Sequence, residues 1–232
     1  MMLKQLKEEV FQTNIDLLRN RLVILTWGNV SGISRADGYV VIKPSGVDYE
    51  VMKPSDMVVV DLEGKIVEGN FRPSSDLPTH LLLYKNFSSI GGIAHTHSTY
   101  ATIFAQACKE IPCYGTTHAD HFNGSIPVTR FLTKEEVESN YEKNTGLVII
   151  ERFKSLDPES MPAVLVGGHA PFAWGTSADD AMKNILILEN VAQMALGSLQ
   201  LNPSLIQLPS FIQEKHFQRK HGPNAYYGQK KK

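Results

Sequence analysis

Apolar residues recur at helical spacing near both ends of the chain. Their three- and four-residue intervals predict helices over residues 3–20 and 178–200, and a last helix over about 208–220. The residues that carry the first two helices are Leu3, Leu6, Val10 and Leu17, and then Ala181, Ile185, Leu188, Ala192, Ala195 and Leu199.

Between these helices, short apolar runs predict strands. The runs cover 39–43, 57–69 (a hairpin turning at Glu63-Gly64), 91–97 and 163–166. Helices are predicted from Asp76 to about Phe87 and from Ser98 to Cys108. The segments LTWGNVSGIS and IPCYGTTHADHFNGSIPVTR are rich in turn residues and are interpreted as turns and a functional loop. The whole pattern predicts one α/β domain over residues 1–232, with an interior sheet and flanking helices.

Composition excludes several classes of protein. Of the 232 residues 42% are hydrophobic and the formal net charge is -1, so no broad charge favours binding to nucleic acid or membrane. The two cysteines, Cys108 and Cys113, are expected to be reduced thiols. The N-terminal segment does not resemble a signal peptide, and no apolar run reaches the roughly 18 residues of a membrane span. We therefore expect a soluble, cytoplasmic protein.

Two histidines lie one residue apart in GGIAHTHS. On a strand, residues two apart face the same side, so His95 and His97 are expected to project together. Such a pair can bind one zinc ion, although two hydrogen-bonded structural histidines are the more frequent explanation of a bare His-x-His.

Two further residues are candidate metal ligands. His169 follows the strand over 163–166, after two glycines, and Asp76 precedes a helix in RPSSDLP. For Asp76 alone, capping of that helix is the simpler interpretation. Three histidines and a carboxylate, with no cysteine among them, favour a catalytic over a structural metal.

Two turns are suited to an anion. Ser74 and Ser75 precede a helix N-terminus, and Lys43 stands at a strand end before Ser45 and Gly46. Next to a candidate metal site, these turns indicate a small phosphorylated substrate.

Seven segments together resemble the L-ribulose-5-phosphate 4-epimerases of the class II aldolase/epimerase superfamily, from about residue 3 to 229. The residues of the C-terminal segment and of RPSSD are most similar to the branch that serves L-ascorbate breakdown, although the arabinose-pathway enzymes are nearly as similar. The resemblance implies a central, mainly antiparallel sheet with helices on both sides. The segments are WGNVS, VIKPSGVDY, RPSSDLPTH, GGIAHTHS, GTTHADHF, HAPFAWG and KHFQRKHGPNAYYGQ.

The resemblance also implies a set of functional residues and a homotetramer with active sites between subunits. One divalent metal per subunit, zinc or else manganese or cobalt, would be held by Asp76, His95, His97 and His169. Asp120 and Tyr227 would form the acid/base pair, reaching the metal site from a neighbouring subunit. Substrate and phosphate contacts would come from Gly28, Asn29, Lys43, Ser45, Gly46, Ser74, Ser75, His216 and Arg219.

The implied reaction is a metal-dependent interconversion of L-ribulose 5-phosphate and D-xylulose 5-phosphate. C4 carries no acidic proton, so inversion there would proceed by retro-aldol cleavage of C3–C4, rotation of the aldehyde and re-formation of the bond. This chemistry needs a Lewis acid and a proton donor or acceptor on each face.

Three alternatives remain open. A true aldolase would release the aldehyde, but related aldolases have Glu in place of Asp76 and lack AYYGQ. Adducin-like structural modules lose the metal histidines, and a generic metallohydrolase would lack the anion-binding turns. Two departures from the family pattern are His121, which is expected to shift the pH profile, and Ala170, whose methyl group is expected to restrict the backbone after His169.

Overall fold

The computed structural model describes residues 3–228, which form seven α-helices and seven β-strands. The elements are α1 Lys4–Arg19, β1 Asn29–Ser34, β2 Tyr39–Ile42, β3 Val58–Asp61, β4 Ile66–Glu68, α2 Leu77–Asn86, β5 Gly92–His95, α3 Thr99–Gln106, α4 Thr116–Ala119, α5 Lys134–Arg152, β6 Ala163–Leu165, β7 Pro171–Gly175, α6 Ala178–Leu201 and α7 Ser210–His221.

All seven strands join one antiparallel sheet in the order β4-β3-β2-β1-β5-β7-β6. Neighbouring residues of a strand face opposite sides. The Ser31 hydroxyl contacts His80 and Tyr84 of α2, whereas a side chain at Gly32 would meet α1 and the start of α6. Helices therefore cover both faces, as the resemblance implied.

The apolar pattern identified most of these elements, including the hairpin of β3 and β4. It failed at β1, β7, α4 and α5. The strand β1 has the polar sequence NVSGIS, and its buried Asn29 and Ser31 are hydrogen-bonded to side chains rather than packed as apolar core. Helix α5 is interrupted at Asn140, which has non-helical backbone angles and breaks the apolar period. The strand expected over 91–97 ends at His95, so His97 lies beyond it.

Within residues 3–228, no helix is both long enough and apolar enough to cross a membrane.

The centre of the sheet aligns three segments that are distant in sequence. Asn29 of β1 pairs with His95 of β5, and His95 pairs with Phe172 of β7. Gly28, with φ +78°, allows the chain to enter β1 here, since a Cβ atom would lie 2.8 Å from the carbonyl oxygen of His95. The strand register therefore places the ends of these strands side by side, and these ends carry the polar side chains.

An aromatic cluster lies at the other end of β7. Trp174 is fully buried, its ring centroid is 5.2 Å from that of Phe87 and 5.0 Å from that of Phe153, and its indole N–H donates to the carbonyl of Pro158 at 2.8 Å.

We expect Trp174→Ala to lower the free energy of unfolding by about 3–5 kcal/mol, because it leaves a cavity in this cluster. Urea denaturation monitored by circular dichroism measures the loss, and Trp174→Phe should lose less. A loss below about 1 kcal/mol for Trp174→Ala would contradict the packing described here.

Candidate active site

Three histidines converge at one end of the sheet. His95 is the last residue of β5, His97 follows two residues later, and His169 lies in the turn before β7. Each histidine contributes one ring nitrogen to a group of three, and these three nitrogen atoms all lie within 4.8 Å of one another. The structure thus brings together the three histidines that the sequence singled out.

The histidine rings are suited to binding a divalent cation. The Nδ1 of His95 is 2.9 Å from the carbonyl oxygen of Pro171, which can only accept, so Nδ1 carries a proton and only Nε2 can offer a lone pair to a metal. Burial, with the neighbouring His95 and His97, lowers the pKa of His169 to about 3, and burial lowers the pKa of His97 too. Both rings are neutral at pH 7, as a metal ligand must be.

Asp76 lines the same cavity as the histidines. It precedes α2, but its side chain makes no capping hydrogen bond, so the simpler interpretation of this residue was wrong. One carboxylate oxygen accepts a 2.7 Å hydrogen bond from the Asn29 amide. Burial alone would raise the pKa of Asp76, but the neighbouring His95 and His80 and this hydrogen bond outweigh it, and the pKa is lowered. A carboxylate and three imidazoles fit the donor set of a catalytic zinc-type site.

The cavity at this site has a volume of about 550 Å³. Every predicted metal ligand lines it, and so do seven of the predicted substrate contacts: Gly28, Asn29, Lys43, Ser45, Gly46, Ser74 and Ser75. Its lining also contains residues that sequence reasoning missed: Thr26, Trp27, Pro44, Tyr141 and Glu142. Tyr141 and Glu142 carried no usable signal, because they belong to the helix whose period is broken at Asn140.

Asn29 connects the two halves of the cavity. Its amide nitrogen donates to Asp76 and to the Ser74 hydroxyl at 3.0 Å. Its Oδ1 is buried and has no hydrogen-bond partner among residues 3–228. Because buried polar atoms are rarely left unpaired, this oxygen is available to a hydroxyl of a bound substrate.

Lys43 lies on the anion-binding side. Its side chain is buried, with the ammonium group 2.9 Å from the carbonyl oxygen of Val47 and 4.6 Å from the centre of the Tyr49 ring. Burial lowers the pKa of Lys43 to about 8, although Asp48 opposes the shift. The ammonium is thus cationic at neutral pH and only partly solvated, a state that favours a phosphate partner.

The remaining predicted residues form a second, basic cluster between α4 and α7. The Asp120 carboxylate accepts from Arg219 Nε at 2.8 Å and faces His216 Nδ1 at 3.0 Å, and the Tyr227 ring stacks on Arg219 at 5.1 Å. None of these four residues lines the cavity of the same chain.

The charge state of Asp120 follows from these contacts. Burial would raise its pKa, but the hydrogen bonds from Arg219 and His216 and the charge of Lys220 lower it. Asp120 is therefore a carboxylate at neutral pH.

The two departures from the family pattern have small effects here. Burial and the neighbouring Lys220 lower the pKa of His121 to about 4, so the structure gives no ionisation of His121 near neutral pH and opposes the expected shift of the pH profile. Ala170 is fully buried and does not have a positive φ, so its methyl group imposes no strained backbone.

Comparison with known proteins agrees with this architecture. L-fuculose 1-phosphate aldolase shares 27% identity and superposes with a TM-score of 0.78, covering 93% of this chain and 95% of that chain. YgbL from Klebsiella pneumoniae shares 21% identity, with a TM-score of 0.73 and coverage of 93% and 99%. L-fuculose-1-phosphate aldolase from Thermus thermophilus shares 23% identity, with a TM-score of 0.66 and coverage of 88% and 99%.

The family described as Class II Aldolase and Adducin N-terminal domain matches residues 8–196, most of the chain. With the sheet order and the histidine site described above, this match means that the protein belongs to the class II aldolase/adducin family.

Proposed function

We propose that the protein is a metal-dependent L-ribulose-5-phosphate 4-epimerase that interconverts L-ribulose 5-phosphate and D-xylulose 5-phosphate. The observation that carries the proposal is that one cavity contains both a three-histidine site with Asp76 and a buried lysine beside two serine-containing turns. A ketopentose phosphate has the matching chemistry, with neighbouring oxygens at one end and a dianion at the other.

In this proposal His95, His97, His169 and Asp76 hold the cation. When bound, a divalent cation supplies Lewis-acid polarisation of the sugar oxygens. We favour zinc, with manganese and cobalt as alternatives for a set of nitrogen and oxygen ligands.

Lys43 and the turns with Ser45, Gly46, Ser74 and Ser75 bind the phosphate group. After cleavage of C3–C4, this group belongs to a two-carbon aldehyde, which has no covalent link to the rest of the sugar. Holding the phosphate keeps the aldehyde in the cavity while it rotates. Retention is what separates an epimerase from an aldolase, since both break the same bond.

Inversion also needs a proton acceptor at O4 on one face and a proton donor on the other. Asp120 and Tyr227 are our candidates, supported by the resemblance and by their contacts with the same guanidinium group of Arg219. Asp120 begins as a carboxylate, the form that can accept a proton. His216 and Arg219 orient it. Because these residues lie outside the cavity of their own chain, we propose that they complete the site of a neighbouring subunit in a homotetramer. We propose that the protein is a soluble enzyme that acts on a sugar phosphate in the cytoplasm.

A second candidate is a sugar-phosphate aldolase. The 27% identity to L-fuculose 1-phosphate aldolase favours it. Asp76 and the two tyrosines near the C-terminus favour the epimerase, because they follow the epimerase pattern.

We expect zinc-loaded protein to convert L-ribulose 5-phosphate into D-xylulose 5-phosphate, and a chelator to abolish the conversion. Product analysis by NMR, with an aldehyde trap, measures both the epimer and any released glycolaldehyde phosphate. Accumulation of the aldehyde as the main product would instead establish an aldolase.

Mixing two inactive variants tests the shared site. We expect His97→Asn and Tyr227→Phe each to have little activity alone. A refolded equimolar mixture should recover about a quarter of the wild-type activity, because about a quarter of the interfaces would combine an intact cavity with an intact Tyr227. Each variant refolded alone is the control. A mixture as inactive as its components would contradict an active site built between subunits.

The charge of Lys43 predicts a pH dependence. Below pH 8 the ammonium attracts the phosphate dianion, and above pH 8 it loses its proton, so we expect kcat/KM to fall as pH rises through about 8. Lys43→Met keeps most of the length of the side chain without the charge, so we expect it to have a lower kcat/KM at neutral pH but to lack this fall. An identical fall in Lys43→Met would assign the ionisation to another group.

A further inference from the structure

We propose that Tyr141 is a positioning residue that fixes the ring of His169 for metal binding. The hydroxyl oxygen of Tyr141 lies 3.3 Å from Nδ1 of His169, and the two rings meet nearly edge to face with centroids 6.1 Å apart. This contact joins α5 to the turn that carries the third histidine. No sequence motif indicated it.

His169 needs such a partner more than His95 does. His95 belongs to a central strand, and its Nδ1 is held by a backbone carbonyl. His169 lies in a turn after two glycines, the second of which has φ +73°, and is only partly buried. Its ring can therefore rotate more freely unless a side chain restrains it.

The hydrogen bond also selects the tautomer of the His169 ring. If Nδ1 donates its proton to the Tyr141 oxygen, Nε2 keeps the lone pair that a metal requires. Partners of this kind orient metal-binding histidines, and their loss typically costs about 10–100-fold in metal affinity. The Pro171 carbonyl has the same role for His95. Two of the three histidine rings are therefore oriented by a hydrogen bond at Nδ1, one to a backbone carbonyl and the other to a tyrosine hydroxyl.

The interruption of α5 places Tyr141 at the cavity. Asn140 leaves the helical conformation, and its side-chain oxygen accepts from the N–H of Lys143, as an N-cap does, so a second helical segment begins at Tyr141. Thr79 of α2 donates to the carbonyl of Glu142, and Gly146 lets α5 approach α2 closely. Tyr141 is thus held on a rigid support.

The test is the zinc affinity of Tyr141→Phe, measured without substrate by competition with a chromophoric chelator. We expect binding about 10–100-fold weaker than in the wild type. Tyr39→Phe, which removes a hydroxyl from strand β2 outside the cavity, is the matched control and should bind as the wild type does. Unchanged melting of the metal-free variants would show that the fold is intact.

A spectroscopic measurement separates positioning from general loosening. In zinc-loaded wild type, nitrogen-15 NMR should show a protonated, slowly exchanging Nδ1 of His169, and Tyr141→Phe should exchange this proton faster while leaving that of His95 unchanged. A Tyr141→Phe protein that binds zinc normally but has a raised KM would overturn the inference and make Tyr141 a substrate contact.

The inference rests on the metal site of the proposed function, but not on the reaction. Wild-type protein that binds no zinc, manganese or cobalt would overturn both. Normal zinc binding by Tyr141→Phe would overturn this inference alone.

Discussion

The pairing of β1, β5 and β7 at the centre of the sheet is the constraint on which the site depends. Their register places Asn29, His95 and Phe172 side by side, and the carbonyl of Pro171 then meets Nδ1 of His95. A slip of one residue would turn His95 to the other face of the sheet and bury it against α1 and α6. The backbone hydrogen bonds of a fold-defining sheet thus also determine which imidazole nitrogen is free.

Around this centre the protein separates two kinds of chemistry. The cavity holds three imidazoles, a carboxylate and a buried ammonium, which are suited to bind a cation and a phosphate. In the cluster between α4 and α7, Asp120 is hydrogen-bonded to the positively charged guanidinium of Arg219, and Tyr227 stacks on the same guanidinium. Binding groups and proton-transfer groups occupy different parts of one chain. Association of subunits is the physical means by which we propose that they meet.

Much of this division was predictable, and the residues show why. His95 and His97 were recognisable as candidates because two imidazoles at spacing two can bind one metal ion, and Lys43 because a lysine at a strand end before Ser-Gly suits an anion. Asp120, His216, Arg219 and Tyr227 were selected only by resemblance, since an aspartate in a Gly/Thr-rich loop and a pair of tyrosines near a terminus occur in many proteins. Asp76 had two interpretations, and its missing capping bond in the structure removed one of them.

The sequence by itself determined most helices, most strands and the candidate ligand types, because apolar periodicity and side-chain chemistry are local properties. The tertiary structure alone decided that β1 is a buried strand despite its polar residues, because their hydrogen-bond partners come from α2 and the turn before it. It alone brought His169 to His95, 74 positions earlier, and Tyr141 to His169. Contacts between distant segments follow from sheet register and helix docking, which no local pattern encodes.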